Sequence, residues 1–371
     1  MEIQIATTTG FHLKKLAVGL DRLNNSVIYY TYIPNFRNKK ENLDKKWVIS
    51  FFWKLFPYSA LALNKYLPFQ KKYVEIMLEK SDIAISRKIK KSSIFIGLSG
   101  MSVECAIKAK EKGAIVIIER GSRHVISQNE LVMNNDKGLS DFYINRELSS
   151  YSCADYISVL SKHSAQSFFD NGFDSNKIFI NPLGVDLNNF KMSKKPDKGF
   201  NILFVGGWSY RKGVDLLSKA VDRNEKWNLT HIGTVVDVDF PMNHKRIKSL
   251  GHKTHKEIAG LMSNFNILVL PSREDGFGMV LLEALASGLP VVASEMTGGP
   301  DIKEIIKKPE WIEIVKSGSL ESLEKGISRM EEKEKKIEID RNILTREDKE
   351  FFSWDQYVLR YNIFLESIVG D

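Results

Sequence analysis

The sequence predicts an α/β protein of two domains, each a parallel sheet covered by helices on both faces. Three observations carry this reading. Short β-branched runs alternate with amphipathic stretches almost throughout. The alternation stops once, at the polar, Lys- and Pro-containing stretch 191–199, and then restarts. The 371 residues suffice for two domains of roughly 100–200 residues each. With 43% hydrophobic and 27% charged residues, the chain is neither disordered, collagen-like nor coiled-coil.

In the first half, strands are expected over 2–8, 26–33, 93–98, 114–119, 156–160 and 177–180, with helices between them. The Asn-Pro-Leu-Gly-Val-Asp run at 181–186 leads out of the last strand. The domains are therefore 1–190, a linker at 191–200, and 201–350, with a terminal segment 351–371. The second domain starts with Asn-Ile-Leu-Phe-Val at 201–205, a Gly206-Gly207 turn and a helix near Lys212. Further strands follow at 229–232, 246–250, 267–270, 290–293 and 311–315. Helices are expected at 254–263, 277–287 and 319–330, and 354–368 reads as a last amphipathic helix.

Charge is unevenly distributed. The net +8 lies entirely in residues 1–190, where 26 basic residues face 18 acidic ones, whereas the remainder carries 28 of each. The first half should therefore meet something anionic: phospholipid headgroups, nucleic acid or a phosphorylated substrate. Cys105 and Cys153 form neither a metal-ligand spacing nor a disulfide framework, which fits a reducing, cytoplasmic compartment. No apolar run reaches the roughly 18–20 residues that span a bilayer, and the first residues lack the pattern of a signal peptide.

Open α/β sheets bind ligands beyond the carboxyl ends of their strands, and two loops there carry chemistry. Gly206–Gly213 places Arg211 and Lys212 at a helix start, where free N–H groups and the dipole favour an anion. The plainer account is a glycine turn with two solvated cations. In the second loop, Asp275 and Glu283 stand eight residues apart around Gly276-Phe277-Gly278-Met279. Carboxylates accept hydrogen bonds from vicinal hydroxyls, and the amides of 276–279 suit sugar hydroxyls or phosphate oxygens. The plainer account leaves the acids as dipole partners and a solvated helix residue.

Together these loops resemble retaining glycosyltransferases of family 4, of the GT-B fold, with two Rossmann-like domains facing across a cleft. The segment 204–213 is similar to that family's phosphate loop and 271–284 to its Glu-x7-Glu segment. Ser-Gly-Leu-Pro-Val-Val at 287–292, Gly-Gly-Pro-Asp-Ile at 298–302, Glu-Arg-Gly-Ser-Arg-His at 119–124 and 181–186 extend the likeness. The resemblance implies transfer of a sugar from a nucleotide-sugar donor, held by the domain 201–350, to a saccharide or lipid-linked acceptor, held by the domain 1–190, in surface polysaccharide or glycolipid synthesis, with 351–371 a helix that crosses back to the first domain.

Residue by residue, the resemblance gives the donor diphosphate to Arg211 and Lys212 beside Gly206 and Gly207. The ribose goes to Glu283, and the transferred sugar to Asp275 and the Gly276–Met279 amides. Gly251-His252 matches the turn beside the base, Gly10 the first-strand glycine turn, and His124 a histidine near the reacting sugar. Catalysis would rest on Asp275, Lys212, Arg211 and His124. No metal or other cofactor is implied, because Arg211 and Lys212 supply the charge compensation. The chain departs from the pattern in having Asp275 for the first Glu, with Glu274 beside it, Gly207 where many members carry Arg, and one glycine at Gly10.

Asp237-Val238-Asp239 imitates a metal motif of another glycosyltransferase fold but lacks its context, and His252 and His255 lack further zinc ligands. No dinucleotide fingerprint supports a dehydrogenase, and no nucleic-acid module is legible, so no nucleic-acid partner is expected. A nucleotide-sugar epimerase and a non-catalytic nucleotide-sugar or nucleic-acid-binding protein remain the alternatives. Residues 45–72 combine two Trp, several Phe and Tyr, and lysines, a pattern suited to an anionic membrane surface. The protein would then sit peripherally on the inner face of the membrane. The competing account makes these rings the packed face of a first-domain helix.

Overall fold

The computed structural model describes residues 1–7, 12–34, 47–54, 56, 70–133, 138–190, 199–336 and 341–370. Gly10, Lys45, Lys46, most of 55–69 and most of the expected linker lie outside the described residues.

The first sheet contains β1 (Glu2–Ala6), β2 (Ser26–Thr31), β3 (Val48–Ser50), β4 (Ile94–Leu98), β5 (Ile115–Arg120), β6 (Tyr156–Val159) and β7 (Ile178–Ile180). They are parallel and ordered β3-β2-β1-β4-β5-β6-β7. The second holds β8 (Phe200–Val205), β9 (Trp227–Ile232), β10 (Ile247–Ser249), β11 (Ile267–Leu270), β12 (Val291–Ser294) and β13 (Ile312–Val315). These too are parallel, ordered β10-β9-β8-β11-β12-β13. Helices cover both faces, so central strands such as β4 and β11 are buried along their whole length and read as continuous apolar runs.

In each sheet the strand order reverses once, between β1 and β4 and between β8 and β11, opening the crevice where such sheets bind ligands. The loops after β8 and β11 are the two singled out from the sequence. Sheet register places them side by side, with Ile202 opposite Ile267 and Leu203 opposite Leu268.

The Trp354–Gly370 helix crosses back to the first domain. Phe364 stacks on Phe179 at 4.0 Å, Asn25 donates to Asn362 Oδ1 at 2.8 Å, and Arg360 donates to Asn181 and Pro182. Chain passage between the domains is further tied by Val185 N–H donating to the Phe352 carbonyl at 2.8 Å. A cavity of about 770 Å³ opens at this hinge beside Leu187, Arg346 and Trp354.

The aromatic segment departs from the expectation of a packed helix face. Val48–Ser50 forms edge strand β3 rather than a helix face, because its alternating residues continue the sheet beside β2. Trp47 and Phe51 are buried, while Trp53 is 77% and Phe56 47% exposed. Two short helices, Gly299–Ile305 and Arg346–Phe351, were also not anticipated. They are too short to show a helical period, although Thr345 and Asp348 form a capping box for the second.

Candidate active site

The loop after β8 closes around a buried anchor. Trp208 is fully buried and packs on Phe240, with ring centroids 4.8 Å apart, and on His231 at 5.0 Å. Past it, Tyr210–Lys212 make one 3₁₀ turn, and the helix starts only at Val214. Gly213 joins them at φ +71°, where an added Cβ would stand 2.2 Å from the Pro271 carbonyl oxygen. Glycine is needed on both counts. The Asp237 carboxylate accepts from Tyr210 N–H at 2.8 Å, so the Asp-x-Asp imitation has a turn-fixing role.

The loop after β11 is clamped to this turn. Arg273 donates to both carboxylate oxygens of Asp215 at 2.7 and 2.8 Å, lies 3.7 Å over the Tyr210 ring, and gives its backbone N–H to the Arg211 carbonyl at 2.8 Å. Such bidentate pairing fixes geometry as well as adding energy. The functional charges then meet in pairs. Lys212 Nζ donates to Asp275 Oδ2, and Arg211 donates to the Glu274 carbonyl at 2.9 Å and to its Oε2 at 3.1 Å. Burial pushes the Asp275 carboxyl up, but Lys212, Arg211 and His163 together outweigh it and hold it below the ordinary carboxylate value. Arg211 remains 38% exposed, whereas Lys212 is largely covered beside Asp275.

The acid of uncertain assignment has a separate place. The Glu274 side chain is fully buried and bridges the domains: Ser122 Oγ donates to one carboxylate oxygen, and Gln128 Nε2 to the other at 3.1 Å. Asp275 therefore faces Lys212, while Glu274 ties Arg211 to the first domain. Backbone approach is equally close, since a Cβ on Gly276 would lie 1.9 Å from the Gly121 carbonyl oxygen. Ser161 Oγ donates to the Gly276 carbonyl at 2.7 Å, and Lys162 N–H to Asp301 at 3.0 Å. The two domains meet directly at the loop after β11.

Glu283 sits on the Met279–Ala286 helix, an almost wholly apolar segment whose Leu281, Leu282, Ala284 and Leu285 are buried. A solvated helix residue would be exposed; Glu283 is 5% exposed and pairs with His255 Nε2 at 2.9 Å. Burial pushes its pKa up, partly offset by His255. Phe277 is also buried, its ring against Gly298, so it offers backbone rather than ring. Gly278 is the N-cap before Met279, Gly206 and Gly207 begin the cation loop, and Gly251 makes a turn beside exposed His252.

His124 is not brought to this cluster. Its ring is 3% exposed and packs among Tyr151, Phe168 and Phe173, with centroids 5.1, 5.1 and 5.8 Å away. Burial, with Arg120 nearby, lowers its pKa to about 4. The expected sugar-contacting role therefore gives way to a core role: His124 opens a helix whose apolar neighbours draw the ring inward. The histidine near Asp275 is His163, also lowered to about 4, first by burial and then by Arg123.

Sequence reasoning missed the Glu274 bridge and a group around Glu119 and Arg120. A signal was present, since those two charged residues end an otherwise apolar strand at its ligand-facing end.

Residues 186–346 match the family model of glycosyl transferases group 1. An uncharacterised glycosyltransferase of Methanocaldococcus jannaschii is 25% identical over 351 residues, 90% of this chain and 94% of that one. A glycosyltransferase of O-antigen biosynthesis from Escherichia coli is 24% identical over 156 residues, 38% of this chain and 44% of that one. Among solved structures, Anabaena HepE in complex with UDP and glucose superposes with a TM-score of 0.68 at 15% identity, covering 99% of this chain and 100% of that one. That last likeness is one of fold: the architecture is GT-B. Among the described residues, no helix is long and apolar enough to cross a membrane.

Proposed function

We propose that the protein is a retaining, metal-independent glycosyltransferase. It moves a sugar from a nucleoside-diphosphate sugar to a saccharide or lipid-linked acceptor in surface polysaccharide synthesis. The observation that carries this is the coupling of Lys212 to Asp275 and of Arg211 to Glu274 on adjacent loops at the β8/β11 switch point. A diphosphate arriving there meets two cations already in place, whose charge is most valuable as the phosphate–sugar bond breaks. The released carboxylate of Asp275 is then free to accept from the sugar's hydroxyls, and Glu283 from the ribose.

Retention and family 4 membership rest on the resemblance of 204–213 and 271–284. The surface-polysaccharide setting is supported by the O-antigen relative. The test is incubation with uridine- and guanosine-diphosphate sugars and glycoside acceptors, read by nucleotide release and by proton NMR of the product. A product with the donor's anomeric configuration is expected; an inverted linkage would reject the retaining assignment, and epimer formation without transfer would reject the transferase.

Peripheral membrane attachment belongs to the same proposal. Phe52, Trp53 and Phe56 form an outward cluster with centroids 5.2–5.9 Å apart, beside Lys54, in the half that carries the net charge. Aromatic rings favour the headgroup boundary and cations favour anionic lipid. Anionic vesicles should pellet the wild type in low salt but not a Trp53→Ser, Phe56→Ser variant; equal pelleting would remove this surface from the account.

A further inference from the structure

The acid assigned to the ribose does not stand open. Only 7% of the Glu283 side chain is exposed, whereas that of His255, whose Nε2 lies 2.9 Å from Glu283 Oε1, is 62% exposed. The imidazole therefore covers the carboxylate on its solvent side. Among the described residues no other side chain is paired with Glu283, and His255 is what opposes the upward push of burial on its carboxyl.

The backbone that carries His255 is fixed. His255 is the first residue of the His255–Met262 helix, and the turn before it is a closed capping box: Thr254 Oγ1 accepts from Glu257 N–H at 3.3 Å, and the Glu257 carboxylate accepts from Thr254 N–H at 2.8 Å. Glu257 is thereby taken up by the cap, with Lys253 at 3.7 Å, and leaves His255 to Glu283. The ring itself is lightly held. Besides Glu283 it meets only the edge of Phe190 among the described residues, with centroids 5.6 Å apart. A change of rotamer would uncover Glu283 without moving the helix.

A ribose hydroxyl donates to a carboxylate as an imidazole N–H does, so the two compete for one acceptor. A residue that merely oriented Glu283 would sit behind it, out of a ligand's path, but His255 sits in front, in solvent. We propose that His255 is an internal competitor for the nucleotide: its ring occupies Glu283 in the free protein and swings away when the hydroxyls of a ribose take its place. The proposal rests on the assignment of Glu283 to the ribose. Because only the fraction of molecules with the ring turned away is competent, apparent affinity is reduced by that fraction. The reduction applies to the donor and to the nucleoside diphosphate left after transfer, since both carry the ribose. His255 thus helps the spent nucleotide leave.

The test is isothermal titration of UDP and GDP, and of their 2′,3′-dideoxy analogues, into the full chain as wild type, His255→Ala, Glu283→Ala and the double variant. His255 is exposed and alanine is the best helix former, so His255→Ala should melt like the wild type; His255→Ser serves if it does not. His255→Ala should bind the ribonucleotide about three- to tenfold more tightly, on the scale of one hydrogen bond, and the dideoxy analogue as the wild type does. In the Glu283→Ala background the same substitution should change nothing. Unchanged or weaker binding of the ribonucleotide by the folded His255 variant, or an equal gain for the dideoxy analogue, overturns the proposal and leaves the donor site in place. Nucleotide binding that ignores Glu283→Ala removes the ribose assignment and the proposal with it. No binding of UDP or GDP to the wild type removes the donor reading itself.

Discussion

The β8 and β11 loops of the second domain and the group around Glu119 and Arg120 in the first use charge in opposite ways. On the second domain, the cations Arg211 and Lys212 pair with Glu274 and Asp275, and Arg211 is partly open to solvent. In the first, Arg120 is enclosed by three acceptors and Glu119 by Tyr361 and His12. One region is an exchangeable ion-pair site and the other a fixed hydrogen-bonding frame. The contrast teaches that charge count alone does not locate paired charges: the +8 excess belongs to the first half, yet the cations of the proposed diphosphate site are in the balanced second half.

The largest break in this comparison should come from the exchangeable side. Asp275→Asn removes the partner of Lys212 and an acceptor for the sugar, and turnover should fall about 10²–10³-fold, the scale of a lost preorganised group. A parental rate from the folded variant would move the sugar site elsewhere. Glu283→Ala should act more mildly and on binding, raising the donor dissociation constant about tenfold with little change in kcat; calorimetry and initial rates separate the two effects.

A smaller effect sharpens the reassignment of His124. In the folded protein, His124 and His163 titrate near pH 4 against an ordinary value of 6.5. The unfolded chain therefore binds more protons between those values, so their contribution is full above about pH 6.5 and is lost as pH falls towards 4. Thermal melts should show stability declining from pH 7 to pH 5, and His124→Phe, which keeps an aromatic ring in its pocket, should show a shallower decline. An unchanged pH slope, or a loss of transfer activity in that variant at pH 7.5, would return His124 to the reacting centre.

The two regions also differed in how far they could be read from the sequence. Strand–helix alternation located twelve of the thirteen described strands because most are short apolar runs bounded by turn residues. The missing one, β3, is three residues long and lies inside an aromatic segment whose period favours no element. The proposed donor residues stand out in the sequence because they follow one another on two loops with local motifs. Asp275 and Glu274, adjacent in sequence, could be told apart only by what each faces, Lys212 or the first domain. The group around Glu119 and Arg120 is illegible for a related reason: His12, Glu119, Glu147 and Tyr361 come from four distant segments, and sequence spacing carries no trace of their meeting. His124 shows the converse error, since its motif is local but the aromatic pocket that claims its ring is built by Tyr151, Phe168 and Phe173 from later segments.

The central claim is that the β8 and β11 loops of the second domain bind a nucleoside diphosphate through Arg211 and Lys212. Isothermal titration of UDP and GDP into wild type and Lys212→Ala tests it most directly. The account predicts one site per chain for at least one of the two nucleotides, weakened at least tenfold in a Lys212→Ala protein that melts like the wild type. Equal affinity in the two proteins, or no binding of either nucleotide to the wild type, would contradict it.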